Sequence, residues 1–92
     1  MKNETDRAVV TVIGKDQVGI LAKVSGACAA ANANVIEVTQ SVLEEFFCMI
    51  MIIDTSACSS TIDELQALIQ DAVPAMNVHV MHENIFDAMH RI

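Results

Sequence analysis

The chain has no tryptophan and no tyrosine, and Phe46, Phe47 and Phe86 are its only phenylalanines. Aromatic platforms of the kind on which single-strand binders stack bases are therefore missing. Cations are scarce too: five Lys and Arg stand against twelve Asp and Glu, for a net charge of −7. A nucleic-acid partner normally demands a basic stripe to neutralise phosphates, so this balance argues against direct nucleic-acid binding. One proline, Pro74, and three glycines, Gly14, Gly19 and Gly26, leave no linker, repeat or low-complexity stretch. The longest unbroken apolar run, Phe46 to Ile53, falls far short of the ~20 residues of a membrane-spanning helix. Met1 to Arg7 is polar and of mixed charge, without the basic and apolar blocks of a secretory signal. Cys28, Cys48 and Cys58 are an odd number of thiols in apolar or Ser-rich surroundings, which reads as reduced, mostly buried cysteine and not as a disulfide frame. The expectation is a soluble, cytoplasmic chain with no membrane partner.

What the sequence holds in excess is apolar side chain: 53% of its residues, against about 45–50% in ordinary globular domains. Ninety-two residues allow one compact domain, and a domain that small keeps a large share of its surface exposed. Monomers seldom display large contiguous apolar patches, so the surplus is predicted to be buried against a second chain. The expected state is a homodimer.

Periodicity orders the elements. Ala8 to Ile13 is a dense β-branched strand, and Gly14-Lys15-Asp16-Gln17-Val18-Gly19 interrupts it as a turn. Ile20, Val24, Ala27, Cys28 and Ala31 then recur at helical spacing, with Gly26, Ala29 and Ala30 small enough for close approach to a sheet, until Asn32-Ala33-Asn34 ends the helix. Val35 to Val42 alternates with a period of two, and Leu43-Glu44-Glu45 turns into the strand Phe46 to Ile53. Ser59-Ser60-Thr61 announces a second helix, with Thr61 and Glu64 at capping-box spacing and a predicted buried stripe of Ile62, Leu65, Leu68, Ile69, Ala72 and Val73. Pro74 stops it. Asn77 to His82 alternates again, and Ile85, Phe86, Met89 and Ile92 suggest a short amphipathic tail helix.

The order β-α-β-β-α-β with right-handed crossovers favours an α/β (α+β) sandwich of the ferredoxin-like kind: an antiparallel sheet in order 4-1-3-2, two helices on one face, and a short C-terminal helix. The boundaries read as a tail over 1–7, the domain over 8–83 and the tail helix over 84–92. Both central strands are apolar at odd and even positions alike, so the second sheet face also needs a cover. Either the tail helix or a partner subunit supplies it.

Few residues invite catalysis. Gly14-x4-Gly19 matches the opening of a phosphate-binding loop, but Ile20 and Leu21 stand where Lys and Ser or Thr would be needed. His79 and His82 have opposite parity on a strand and cannot share one ion; His82 could meet His90 or Glu83, yet tight ligand spacing is absent. Cys28 and Cys48 sit in apolar elements that quiet a thiol, and Cys58 reads as an exposed loop thiol with no base near in sequence. Glu44 and Glu45 solvate a turn, while Asp63 and Glu64 suit a helix N-terminus. No catalytic, cofactor or metal site emerges, and an enzyme is the weakest of the readings. The turn before the first helix is different: exposed backbone N–H groups and the helix dipole make it an anion site, with Gly19 allowing close approach. The plainer reading of that turn is a tight bend in which Asp16 or Gln17 caps the helix.

The element order, the loop Gly14-Lys15-Asp16-Gln17-Val18-Gly19-Ile20-Leu21, the turn Ala33-Asn34-Val35-Ile36 and the end Glu83 to Ile92 resemble the ACT domain, a small-molecule-sensing regulatory module, over about residues 8 to 92. The chain is similar to short stand-alone ACT proteins and to half of the tandem-ACT glycine cleavage repressor. The resemblance implies a non-enzymatic, allosteric module that holds an amino acid or similar metabolite at a homodimer interface, between the loop after the first strand and the start of the second. It carries the ligand-binding role onto Asp16, Gln17, Val18, Gly19, Ile20 and Asn34. The chain departs from many ligand-binding ACT loops in having Gly14 without a side chain, a charged Asp16, and Val18 where proline is frequent. A second reading is a dimerisation or interaction module that docks a metabolic enzyme or regulator without any metabolite.

Overall fold

The computed structural model describes residues 6–89. Along them run β1 (Arg7–Lys15), α1 (Ile20–Ala30), β2 (Asn34–Leu43), β3 (Phe46–Asp54), α2 (Ile62–Ala72), β4 (Asn77–His82) and α3 (Glu83–Met89). The strands form one antiparallel sheet in order β2-β3-β1-β4, which is the predicted ferredoxin-like order read from the other edge. β3 and β1 are therefore central.

Register sorts the side chains between the two faces. Ala8, Val10 and Val12 of β1 lie opposite Ile53, Met51 and Met49 of β3, and Val10 and Val12 lie opposite Val80 and Val78 of β4. All are buried, beneath Ile20, Val24, Ala27 and Cys28 of α1 and Leu65 and Ile69 of α2. Burial pushes the Cys28 thiol pKa up to about 11, with charge on Cys58 adding to the effect. α2 begins at the predicted capping box: the Thr61 hydroxyl accepts from the Glu64 amide at 3.1 Å, and the Thr61 amide donates to Glu64 Oε1 at 2.9 Å. α1 is closed by Asn32, held in the left-handed region at φ 65, whose side-chain amide donates to the Ala57 carbonyl at 3.4 Å.

Several expectations are corrected. β1 continues through Gly14 and Lys15, so the turn is only Asp16 to Gly19. Gly14 pairs with Phe47, and a Cβ there would stand 3.0 Å from Met76 Sδ. Its lack of a side chain serves packing inside a strand, not a phosphate-cradling loop. Gly26, Ala29 and Ala30 lie on the exposed side of α1 because the helical period rotates them off the inward stripe. Close approach comes from Ala27 and Ala31 instead, both buried. Leu68 of the predicted α2 stripe is 38% exposed, the inward face narrowing to Leu65, Ile69 and Val73.

On the opposite sheet face stand Val9, Thr11 and Ile13 of β1 and Cys48, Ile50 and Ile52 of β3. α3 follows β4 with no loop and packs on β1 and β4, and Val9 is closed off from solvent. The tail helix therefore covers one half of this face. None of its residues is fully buried, and Met89 remains 65% exposed. His90 and Ile92, read above as part of this helix, lie outside the described residues.

The two sheet edges are unlike. At β4, the Gln66 amide donates to the Val78 carbonyl and its oxygen accepts from the Val80 amide at 2.7 Å. One turn on, Gln70 donates to the Met76 carbonyl at 2.7 Å and accepts from the Val78 amide at 3.4 Å. Two glutamines at i, i+4 thus stand in for the missing neighbour strand. Among the described residues β2 has no such cover, and its side chains are exposed apart from half-buried Val35 and Val38.

Three outcomes follow for stability. Gly26→Ala is expected to stabilise the fold by about 0.5–1 kcal/mol, because the helix gains propensity and a Cβ there meets nothing within 4 Å; chemical denaturation measures it. Gln66→Leu is expected to cost about 1–3 kcal/mol by stranding the Val78 carbonyl and the Val80 amide of β4, with a loss of amide-exchange protection centred on Val80. Above pH 9 an unfolded Cys28 ionises while the folded one stays protonated to about 11. Stability should therefore fall between those values by more than in Cys28→Ala, as read from pH-dependent melts.

Candidate functional site

Asp16, Gln17, Val18 and Gly19 are all exposed, and Val18 is 94% so. Ile20, the first residue of α1, is buried and anchors the turn to the core. The Asp16 amide donates to the Glu45 carbonyl at 2.8 Å, which ties the turn to the β2–β3 hairpin tip. Gly19 is the N-cap, at φ 84 and ψ 13, and its carbonyl accepts the first helical bond from the Lys23 amide at 3.0 Å. A side chain at that φ would be strained, so glycine is required. No side chain caps α1 and no acidic residue lies in its first turn, which corrects the capping role offered for Asp16 or Gln17. Among the described residues, the first amides of this helix thus lack the side-chain acceptor that Thr61 gives α2.

Asn34 opens β2, is exposed and pairs with Asp54. It lies at the other end of the sheet, since β2 runs to Leu43, opposite Phe46, beside which Lys15 brings β1 to the turn. At 3.3 Å per residue, Asn34 is about 30 Å along the strand from Leu43. One chain does not bring Asn34 to the turn. A bulge between Val35 and Glu37 bends the start of β2 just past Asn34, and from Glu37 onward the ladder with β3 is regular.

Two hollows lie elsewhere. One, of about 380 Å³, is an apolar groove between α3 and the sheet, lined by Thr11, Ile13, Cys48, Ile50, His79, Met81, Phe86 and Met89. The other, of about 320 Å³, lies near the start of α2 and includes Asp6, Thr55, Cys58, Ser60, Thr61 and His82. His79 and His82 thus open onto opposite faces, as their parity requires, and His82 Nδ1 accepts from the Asn84 amide at 3.1 Å. Cys58 is half-buried against the core and not an exposed loop thiol, its Sγ 3.7 Å from the Ser60 carbonyl oxygen. Among the described residues no three His, Cys, Asp or Glu side chains gather as a metal site. The Asp54 carboxyl is held below its usual range by the hydroxyl and amide of Ser56, with Arg7 assisting. Sequence reading missed the groove and the paired glutamines. Gln66 and Gln70 at i, i+4 on a helix preceding an edge strand were the available signal.

No helix of the described residues is long and apolar enough to cross a membrane. The ACT domain family model matches residues 6–82. A UPF0237 protein of Listeria monocytogenes is 41% identical over 88 residues, covering 94% of this chain and 99% of the relative. The solved ACT domain protein from Streptococcus pneumoniae superposes with a TM-score of 0.70 at 29% identity, over 95% of this chain and all of that one. A putative glycine cleavage system transcriptional repressor shares the fold at a TM-score of 0.67 and 19% identity, over 87% of this chain and 46% of the repressor chain. With the family model spanning β1 to β4 and the Listeria relative matched end to end, the chain belongs to the ACT domain family.

Proposed function

We propose that the chain is a regulatory module in which two copies hold a small amino acid or similar metabolite between the Asp16–Ile20 turn of one and Asn34 of the other. Family membership supports the regulatory role in general. The observation that carries the finer reading is the contrast between edges: β4 is closed by Gln66 and Gln70, while β2 is open. An antiparallel pairing of two β2 strands centred on Gln40 carries the start of one strand past Leu43 of the other. That point is the Glu44–Glu45 turn, to which Asp16 is bonded. There the amides at the start of α1 suit a carboxylate, Asp16 suits an ammonium, and Asn34 both donates and accepts.

A ligand held this way stabilises the pair by mass action, about 2.7 kcal/mol at 100 times its Kd. The second reading, docking of a metabolic enzyme or regulator without a metabolite, is favoured by one feature of the turn: a valine 94% exposed at its tip. Calorimetry against the twenty amino acids, paired with light scattering, separates the two. The ligand reading expects heat and increased dimer for at least one amino acid, both lost in Asp16→Ala and Asn34→Ala. No heat and no change in mass for any of them would remove it.

A further inference from the structure

The groove under α3 lies on the opposite sheet face from α1 and shares no residue with the site proposed above. Its floor is read from the register as successive rows across the sheet. Cys48 lies beside Ile13, and the next row sets Ile50, Thr11 and His79 side by side. Met81 continues the floor, and Phe86 and Met89 of α3 form the wall. Toward β2 the same rows become polar and exposed, with Ser41 beside Cys48, Thr39 beside Ile50 and Glu37 beside Ile52. The apolar strip is therefore narrow, bounded by a polar rim on one side and the helix on the other.

Four features fix what such a strip accepts. Its volume of about 380 Å³ falls within the range of small-molecule sites, about 300–1,000 Å³. Not one of its eight lining residues is Asp, Glu, Lys or Arg, and the chain carries a net charge of −7, so among the described residues an anionic occupant meets no Lys or Arg there. Methionine and cysteine make the lining adaptable in shape. The fourth feature is polar: Thr11 and His79 are cross-strand neighbours, and among the described residues neither side chain is hydrogen-bonded. His79 is exposed and Thr11 half-buried in the open groove. A pure hydrocarbon lying over them would strand a hydroxyl and an imidazole, so the occupant needs one group that can hydrogen-bond at that point.

We infer that this groove binds a neutral, largely apolar small molecule carrying a single hydrogen-bonding group, of the chemical class of an indole or a phenol. The bound molecule lays its ring along Ile13, Ile50 and Met81 against Phe86 and Met89, with its polar atom over the Thr11–His79 pair.

The test uses the full chain and the neutral fluorophore N-phenyl-1-naphthylamine, whose emission rises in an apolar site. Expected is saturable uptake of one molecule per chain, reversed by indole but not by zwitterionic tryptophan at equal concentration. Thr11→Val, which removes only the hydroxyl, should weaken indole by roughly tenfold. Cys48→Phe should block uptake by filling the floor, and Met89→Ala, at an exposed helix position, should weaken it without a packing loss. Absence of saturable uptake would overturn the inference. So would binding that Thr11→Val, Cys48→Phe and Met89→Ala all leave unchanged. Uptake that falls as chain concentration rises would assign the groove to a second copy of the chain and equally remove it.

Discussion

A sheet whose two middle strands are apolar on both faces has four surfaces to satisfy: two faces that shed water, and two edges whose backbone groups need hydrogen-bond partners. β3 and β1 impose that constraint here, because Phe47, Met49, Met51 and Ile53 point one way while Cys48, Ile50 and Ile52 point the other. The rest of the molecule is a set of answers to it. α1 and α2 seal one face with a core of aliphatic and methionine side chains. Gln66 and Gln70 complete one edge with side-chain amides. α3 answers the second face by half, and among the described residues nothing answers the β2 edge.

The incomplete answers coincide with the places where chemistry is available. At the hairpin end, a glycine N-cap begins α1 without the acceptor that a Ser, Thr or Asp would give, leaving the first helical amides to other partners. Under α3, the register sets a hydroxyl and an imidazole side by side on an otherwise hydrocarbon floor. Elsewhere the same groups are consumed internally. Thr61 and Glu64 satisfy the start of α2, and Ser56 satisfies Asp54. This contrast between satisfied and unsatisfied termini separates sites from scaffolding.

Much of the fold was legible because it rests on local signals. The strand alternation around Val78 and Val80, the Thr61–Glu64 spacing and Pro74 each act within a few residues. The errors arose where tertiary packing overrode a local cue. Gly14 looked like the start of a turn, yet it is strand whose bare Cα admits Met76. Gly26, Ala29 and Ala30 looked like a packing stripe, but their angular position turns them to solvent. The residues from Asp16 to Ile20 were found as a turn before a helix; their distance from Asn34 was not visible, because strand direction and pairing are non-local. The glutamine clamp was hidden for the same reason, since Gln66 and Gln70 mean nothing until the edge strand they face is known.

Closing one border of the sheet with side chains also limits how far copies of this chain can grow by strand addition. A sheet open at both borders can add neighbours without end and becomes a fibre. Here the β4 border gives the Val78 amide and carbonyl and the Val80 amide to side chains of α2, so among the described residues β2 is the border more open to a joining strand. Two molecules meeting through that place consume it in both. Growth by that route would end at a closed pair.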